Sequence, residues 1–488
     1  MMQRKIKFIW VILLFSPILF SSGCVHVPDC DLARPMEDAG SESVLAQAFD
    51  RGGFEEGDWP TETWWRQLGD PVLNQLIEEA LQRNPNLKAA ESRLKAAAQV
   101  ALQRRGALYP QIDFIATDNW SHYAKQGFFR SLAPEIPAVV NDINLDFSFT
   151  YEVDFWGKYR DLFNAALGDA AAQAAEKLQV ELILTTSIAY AYAELQFLLR
   201  ERQIIEKRNR NREEILAIRD KRVLHALDTS IETLTSKGNK LDIESSLLDV
   251  DPKIEEQIHL LKALSGLGQD AILDIQYIPL NPLTIQLPDR LSLDLISRRP
   301  DLMAQKARLE AAAKRIDAAK TDFYPNVNIT TLIGLESIFW SKLFRAENYS
   351  GSFQPAIHLP IFTAGRLRAQ LDEKVAEFNE AVHSYNNLIL VAAQQVADSL
   401  SNLFYIQKEI EVRESSLQVV ERQEYLTRRR VEHALDDRIA YLQAQNAVLE
   451  MQLIVETMLY SKQLAGILLI RSLGGGYGGE GGGDAPCS

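Results

Sequence analysis

Charged residues that recur at a fixed spacing are the first candidates for chemistry in this sequence. Asp436, Asp437 and Arg438 are consecutive, and the segment that contains Asp436 copies an earlier one. The two segments, RVLHALD and RVEHALD, share an arginine, a histidine and an aspartate, which are Arg222 and Arg430, His225 and His433, and Asp228 and Asp436.

If several copies of the chain surround an axis, one acidic residue becomes a ring of carboxylates. Such a ring in a narrow pore concentrates cations and repels anions. We therefore predict that Asp436 and Asp437 gate a pore, with Arg438 or a cation of a neighbouring chain holding the gate closed. The alternative for Asp436 and Asp437 is the cap of a helix, a common use of aspartate. Asp228 is predicted to cap a helix and to contact a partner.

Other kinds of chemistry have little support. His225 and His433 have no ligand partners near them in the sequence, so we expect structural or surface roles rather than metal binding. The six methionines are not clustered, which weighs against a copper or silver specialist. The sequence has no nucleophile elbow, P-loop, paired zinc ligands or Rossmann glycine pattern. We predict no enzyme, and a net charge of −14 argues against nucleic-acid binding.

The first 23 residues predict a secretory signal. Arg4, Lys5 and Lys7 precede an apolar run, and small residues lead to Cys24. A small-residue run that ends in cysteine resembles a bacterial lipobox, so we expect a covalent lipid such as palmitate on Cys24 and no other cofactor. The alternative is an ordinary signal peptide in which Cys24 is incidental.

The chain contains an internal duplication. Residues 83–110 align without a gap to residues 298–325, and 11 of the 28 columns are identical, where roughly two are expected by chance. The offset is 215 there and 208 for the RVLHALD and RVEHALD segments. The change in length predicts a surface loop in the interval between them.

Each copy contains two stretches typical of strands, at about 111–118 and 143–154 in the first copy and about 326–335 and 352–362 in the second. The alternation of apolar and polar residues from Ile143 to Asp154 gives one apolar and one polar face. Each stretch is long enough to cross a bilayer as a tilted strand. Four strands cannot close a barrel, and open edges are not tolerated in lipid, so several chains must share one barrel.

The segments that connect the strands in each copy, 119–142 and 336–351, are predicted to be outward-facing loops. Both are rich in aromatic residues, some of which we expect in an interfacial girdle: Trp120, Tyr123, Phe128, Phe129, Phe339, Trp340 and Phe344.

Very long helices follow the strands. After Gly157 and Gly365 the chain runs for about 65 residues without proline, which corresponds to roughly 100 Å of helix. Apolar positions spaced four and three apart, such as Leu184, Ile188 and Ala191, indicate coiled-coil packing. Each long helix ends near the HALD segment, and a second helix returns, from about 229 to 264 and from about 439 to 470. No run of 18 apolar residues follows the signal, so we expect no membrane-spanning helix.

These features divide the chain into consecutive segments: a signal peptide (1–23), a lipid-anchored extended segment (24–69), a first repeat (70–264), a linker (265–290), a second repeat (291–473) and a glycine-rich tail (474–488).

Motifs in this order resemble the outer-membrane efflux proteins, the TolC-like family, and its lipoprotein branch associated with resistance-nodulation-division pumps. The motifs include Asp70-Pro71, Asn84-Pro85-Asn86-Leu87, Arg299-Pro300-Asp301-Leu302, Leu359-Pro360-Ile361-Phe362 and Leu473-Gly474-Gly475-Gly476-Tyr477. The turn departs from the family, because Val431 and Ala434 replace its tyrosine and glycine.

The resemblance implies a mainly α protein with transmembrane β-strands. It implies a homotrimer with a 12-stranded barrel in the outer membrane and a periplasmic helical barrel, whose closed tip meets an adaptor and an inner-membrane pump. Arg222, His225, Asp228, Arg430 and His433 become the predicted adaptor contacts. The implied function is an efflux channel. A type I protein secretion conduit and a periplasmic coiled-coil structural protein remain alternatives.

Overall fold

A computed structural model describes residues 27–36, 55–57, 59–284, 286–287 and 298–477. Cys24, the signal segment, and the greater part of the tail lie outside the described residues. The chain divides into two compact units. The first contains residues 27–34, 95–171 and 306–383 with the four long strands. The second contains the described residues within 35–94, 172–305 and 384–477, with the greater part of the paired helices.

The first unit is built on a four-stranded antiparallel sheet with the order β1-β2-β3-β4. The strands are β1 (Gln111–His122), β2 (Val139–Val153), β3 (Asn326–Ser337) and β4 (Tyr349–His358). β1 and β2 come from the first repeat, and β3 and β4 from the second. Because β2 pairs with β3, the two repeats form one continuous sheet.

The register of the sheet separates two faces. Phe114, Phe147 and Ile333 stand in one cross-strand row, and rows of the same parity are also predominantly apolar. The opposite face carries the alternate residues, including Asp113, Asp146 and Glu336. The phenyl rings of Phe114 and Phe147 lie 5.2 Å apart on the apolar face.

Three strands are longer, at one or both ends, than the sequence indicated, and one is placed differently. β1 continues to His122, β3 continues to Ser337, and β2 begins at Val139 rather than 143. The loop predicted at 119–142 therefore shortens to 123–138, and it contains the short helix Phe128–Leu132. β4 ends at His358, not at 362 as predicted, because Pro360 has no N–H to donate to the ladder.

Further helices precede β1 and β3 in the chain. α1 (Pro71–Arg83) and α2 (Pro85–Gly106) precede β1, and α5 (Pro300–Thr321) precedes β3. The indole of Trp156 stacks on Tyr324 with ring centroids 4.8 Å apart, and its Nε1 donates to the carbonyl oxygen of Pro325. This contact joins the end of β2 to the start of β3.

The second unit contains two helical hairpins. The first consists of α3 (Lys158–Leu224) and α4 (Ser230–Leu264), and the second of α6 (Arg366–Glu432) and α7 (Arg438–Ser472). The predicted seam positions on α3, from Leu184 to Leu198, are all buried.

Contacts within and between the hairpins place the helices in the order α4-α3-α7-α6. α3 meets α7 through Arg200 and Glu456, whose charged atoms are 2.9 Å apart. α4 lies against α3 through the Lys240–Glu213 pair, and α6 lies against α7 through Gln407 and Lys462. The first repeat therefore supplies one outer helix of the set, and the second repeat supplies the other.

The repeated motifs near Asn84 and Arg299 perform the same task with different side chains. Asn84 Nδ2 donates to the carbonyl oxygen of Leu264 at the end of α4, at 2.8 Å. Arg299 Nη1 donates to the carbonyl oxygen of Ser472 at the end of α7, at 3.0 Å. Each side chain satisfies a carbonyl group that a helix end leaves without a partner.

The turns of both hairpins require a left-handed residue. Ala226 and Ala434 have φ of 51° and 56°. In each turn the next N–H donates back to the arginine carbonyl, from Leu227 to Arg222 at 2.7 Å and from Leu435 to Arg430 at 2.9 Å. This is the Schellman pattern, in which glycine is the usual residue at the left-handed position. Both turns form this pattern with alanine at the left-handed position.

Two helices, α3 and α7, contain an 18-residue segment apolar enough for a membrane span by length and composition alone. The α3 segment is 67% buried within the chain and the α7 segment 33%. Burial of most of the α3 segment is typical of a core helix.

The substitution Tyr192→Phe tests the buried hydrogen bond between Tyr192 and Asp70, the first residue of the Asp70-Pro71 motif. Asp70 is 1% exposed, accepts from the Tyr192 hydroxyl, and caps α1 by accepting from Val72 N at 2.8 Å. Burial raises the pKa of Tyr192, which keeps its proton on the hydroxyl. Tyr192→Phe should lower the free energy of opening of α1 by about 1–3 kcal/mol, because a buried carboxylate loses a donor. Amide hydrogen exchange of α1 measures this, and Tyr190→Phe, which loses a 3.2 Å bond to a carbonyl, should cost less.

The substitution Ala434→Gly tests whether the left-handed alanine strains the turn. Glycine should stabilise it by up to about 1 kcal/mol, because its left-handed conformation carries no Cβ penalty. The readout is slower hydrogen exchange at the Leu435 amide. Ala434→Val should have the opposite effect, and equal exchange in all three proteins would show that the turn is not strained.

Candidate functional site

The apolar sheet face is the first functional surface. Its side chains are exposed in the single chain, among them Ile112, Phe114 and Phe353. Exposed aromatic residues lie in or next to the strand ends on both sides of the sheet: Trp120, Phe339, Trp340 and Tyr349 on one side, and Tyr109, Phe155 and Trp156 on the other. Aromatic girdles of this kind mark the two interfaces of a membrane-embedded strand face.

The outer edges of the sheet are open. Among the described residues, no strand pairs with the free side of β1 or of β4. Backbone N–H and C=O groups on these edges need partners wherever water is excluded.

The turns of the two helical hairpins are the second functional surface. They contain all the predicted tip residues, and each of the three aspartates there is paired with an arginine. Asp436 accepts from Arg430 Nε at 2.6 Å within its own turn. It does not cap α7, so the alternative role of Asp436 as a helix cap is wrong. The reason is that α7 begins at Arg438, which moves the capping position to residue 437.

Asp437 has two roles. Its Oδ1 accepts from Ala440 N at 2.9 Å and caps α7. Its Oδ2 accepts from Arg222 Nη1, also at 2.9 Å, across to the other hairpin. One carboxylate therefore starts a helix and links the two repeats.

Arg438 points away from the predicted acidic pair. Its guanidinium donates twice to Glu214 on α3, at 2.7 and 3.1 Å. Arg438 thus pairs with a residue of the other hairpin, and its role in holding a gate closed stays a prediction. The hydrogen bond from Arg438 holds the pKa of Glu214 below its usual range, and the same bond raises the pKa of Arg438.

Asp228 also differs from its prediction. The N-cap of α4 is Thr229, so the prediction that Asp228 caps this helix is wrong. Asp228 instead accepts from Arg219 at 2.7 Å and lies 3.0 Å from Arg222 Nε. Its side chain is only 11% exposed, and the bond to it raises the pKa of Arg219.

His225 and His433 lie exposed in the turns. Among the residues that the structure describes, no group of three or more His, Cys, Asp or Glu side chains could hold a metal ion.

Two residues that pair with the predicted tip residues, Glu214 and Arg219, were not identified by the sequence analysis. The internal repeat singles out positions that are alike in both copies, whereas these positions carry Arg422 and Thr427 in the second copy. Together the contacts form a clasp, which we define as Arg222–Asp437 and Arg438–Glu214. Both pairs are between 35% and 50% exposed, so solvent weakens each one. A clasp of weak pairs can hold two hairpins together and still be broken by a modest force.

The comparisons with known proteins agree with this arrangement. The family model described as outer membrane efflux protein matches residues 76–267 and 291–475, which is more than half of the chain. The multidrug resistance outer membrane protein MdtP of Escherichia coli is 28% identical over 86% of this chain and 87% of its own. Its counterpart MdtQ, also of Escherichia coli, is 30% identical over 80% and 82%.

A solved structure shows the same fold. The outer membrane protein VceC of Vibrio cholerae is 31% identical, with a TM-score of 0.77 over 86% of this chain and 100% of its own. The family consists of transport conduits of the outer membrane and not of enzymes. With its duplicated strand and helix hairpins, the chain belongs to the outer membrane efflux protein family.

Proposed function

We propose that this outer-membrane efflux protein acts as one protomer of a homotrimeric exit duct. The observation that carries the proposal is the sheet with one apolar face and two open edges. In hydrocarbon, such a sheet is stable only when its edges are closed. β1 and β4 run in opposite directions, so β4 of one copy can pair with β1 of the next in the antiparallel sense already used in the sheet. Three copies give a 12-stranded barrel.

The polar face then lines the duct. The four strands contain no lysine or arginine, and the polar face carries Asp113, Asp142, Asp146, Glu152 and Glu336. A lining of this charge attracts cations and repels anions. A duct wide enough for water conducts passively and leaves substrate choice to the proteins that deliver the cargo.

The partners are a periplasmic adaptor and an inner-membrane pump. The relatives MdtP and MdtQ are named for multidrug resistance, which supports small molecules as the exported class. The exposed turns, with Arg222, His225, Arg430 and His433, offer the adaptor a mixed polar surface. Arg222 and Arg430 are already paired, so an adaptor that contacts them competes with Asp437 and Asp436.

The clasp supports a gate at these turns. With the clasp formed, the second hairpin is tied to the first, and opening requires the Arg222–Asp437 and Arg438–Glu214 pairs to separate. Exposed pairs contribute roughly 0.2–1 kcal/mol each. The clasp is therefore strong enough to bias a gate towards the closed state and weak enough for an adaptor to release it.

Planar-bilayer conductance of the purified full-length protein tests both the proposed duct and the proposed gate. Asp437→Asn keeps an oxygen that caps α7 and removes the charge that holds Arg222, so the open fraction should rise by up to about fivefold. Arg222→Gln removes the same pair, and also the contact with Asp228, so the open fraction should rise at least as much. Asp437→Ala, which also removes the cap, separates the loss of the cap from the loss of the clasp. Well-folded oligomer without conductance steps would refute the duct. Unchanged opening in Asp437→Asn and Arg222→Gln would refute only the gate.

We also propose that Cys24 carries the lipid anchor. Mass spectrometry of the N-terminal peptide should show an acylated Cys24 in the native protein. Cys24→Ser should lose that mass increment, and Cys30→Ser, the matched control, should keep it. An unmodified N-terminal peptide from the native protein would refute lipidation of Cys24 and indicate an ordinary signal peptide.

A further inference from the structure

The loop between β3 and β4, residues 338–348, folds back over the apolar face of the sheet. Asp118, Ile143 and Ser337 form one cross-strand row on that face, near the end of the strands that is opposite to the long helices. Trp340 follows β3 and donates from its Nε1 to the Asp118 carboxylate at 3.1 Å. Because β2 lies between β3 and β1, the indole must reach across Ile143, which is completely buried. The loop therefore lies on the apolar side of the sheet and not on its polar side.

Hydrogen bonds hold this loop in one shape. The Ser337 hydroxyl donates to the carbonyl oxygen of Phe339 at 3.0 Å and accepts from Phe339 N at 3.2 Å. The carbonyl oxygen of Lys342 accepts from Arg345 N at 3.0 Å and from Asn348 Nδ2 at 2.6 Å. A surface that is already ordered loses little conformational entropy when it binds a ligand. The loop is therefore built as a binding surface would be.

The loop exposes aromatic and basic side chains together. Phe339, Trp340 and Phe344 are between 49% and 77% exposed, although they belong to an ordered loop. Lys342 and Arg345 are also exposed, and the Lys342 Nζ lies 4.9 Å from the centre of the Phe339 ring. Aromatic rings next to a membrane-embedded strand face lie at the level of the lipid headgroups. Basic side chains at that level extend their charged ends towards the headgroups.

The charges of the loop favour an anionic headgroup. The four strands contain no lysine or arginine, so the cations at this end of the sheet lie in its connecting loops. Arg345 lies 3.4 Å from Glu347, but both side chains are more than half exposed, and such a pair is weak enough to exchange for another anion. Within the described part of the chain, Lys342 has no ion pair. Phosphate oxygens form strong, charge-assisted hydrogen bonds with both kinds of side chain.

We propose that residues 338–348 bind a phosphate-bearing lipid of the outer leaflet. Lys342 and Arg345 contact the phosphate groups, and Phe339 and Phe344 lie beside the lipid at the boundary between headgroup and acyl chains. The hydrogen bond from Trp340 to Asp118 fixes the loop on the lipid side of the sheet. The inference rests on the proposed barrel, which places the apolar face in lipid and this loop at the outward end of the strands.

Native mass spectrometry of the purified full-length protein in detergent tests this site. The probes are lipid A with two phosphate groups and the same lipid with both phosphates removed. The phosphorylated lipid should bind at least fivefold more tightly. Lys342→Gln should weaken its binding about fivefold, as expected for one basic side chain near an anionic lipid, and should leave binding of the dephosphorylated lipid unchanged. The matched control, Lys125→Gln, removes the same charge from the exposed loop between β1 and β2 and should change neither affinity.

The outcomes separate the lipid site from the duct. Equal affinity for the two lipids, in a protein that conducts ions in planar bilayers, would overturn the lipid site and leave the proposed function intact. An equal loss of affinity in Lys342→Gln and Lys125→Gln would show a diffuse effect of charge and would also overturn the site. A well-folded oligomer that does not conduct would overturn the duct, and with it the placement of this loop at the membrane surface.

Discussion

The hydrogen-bonding needs of the backbone at two open strand edges constrain everything else in this protein. Alternate residues of β1 (12 residues) and of β4 (10 residues) direct their N–H and C=O groups to the open edge, and hydrocarbon offers those groups no partner. A chain with four strands cannot satisfy them alone. The tandem duplication therefore doubles the sheet without completing it, and a second copy of the chain becomes part of the fold.

The hairpin turns are held together by a different kind of interaction from the helices. The seams within each hairpin are apolar and buried, whereas the clasp between the hairpins consists of exposed ion pairs. Apolar burial is strong and non-directional, and exposed pairs are weak and sensitive to competing charges. This contrast gives stable hairpins with a releasable connection. Asp437 is central to it because one carboxylate both caps α7 and holds Arg222.

The duplicated motifs show how one plan tolerates different side chains. Asn84 and Arg299 hold the ends of α4 and α7 by donating to a carbonyl oxygen, although one is a short amide and the other a long guanidinium. The turns keep the same backbone at Ala226 and Ala434 without the usual glycine. What is duplicated is the hydrogen-bond requirement of the backbone, and several side chains can meet it.

The sequence by itself determined the duplication, the strand and helix content, and the apolar seam positions such as Ile188, because these depend on periodicity within one segment. The ends of the strands were harder to predict from the sequence. β4 stops at His358, near Pro360, which has no N–H to donate. β2 begins four residues earlier than predicted because those residues pair with β1. The tip contacts were decided only by the tertiary structure. Arg438 lies next to Asp437 in the chain, yet it pairs with Glu214, while Asp437 pairs with Arg222. Helix packing brings these groups together over more than 200 residues, and local spacing does not encode which charges meet.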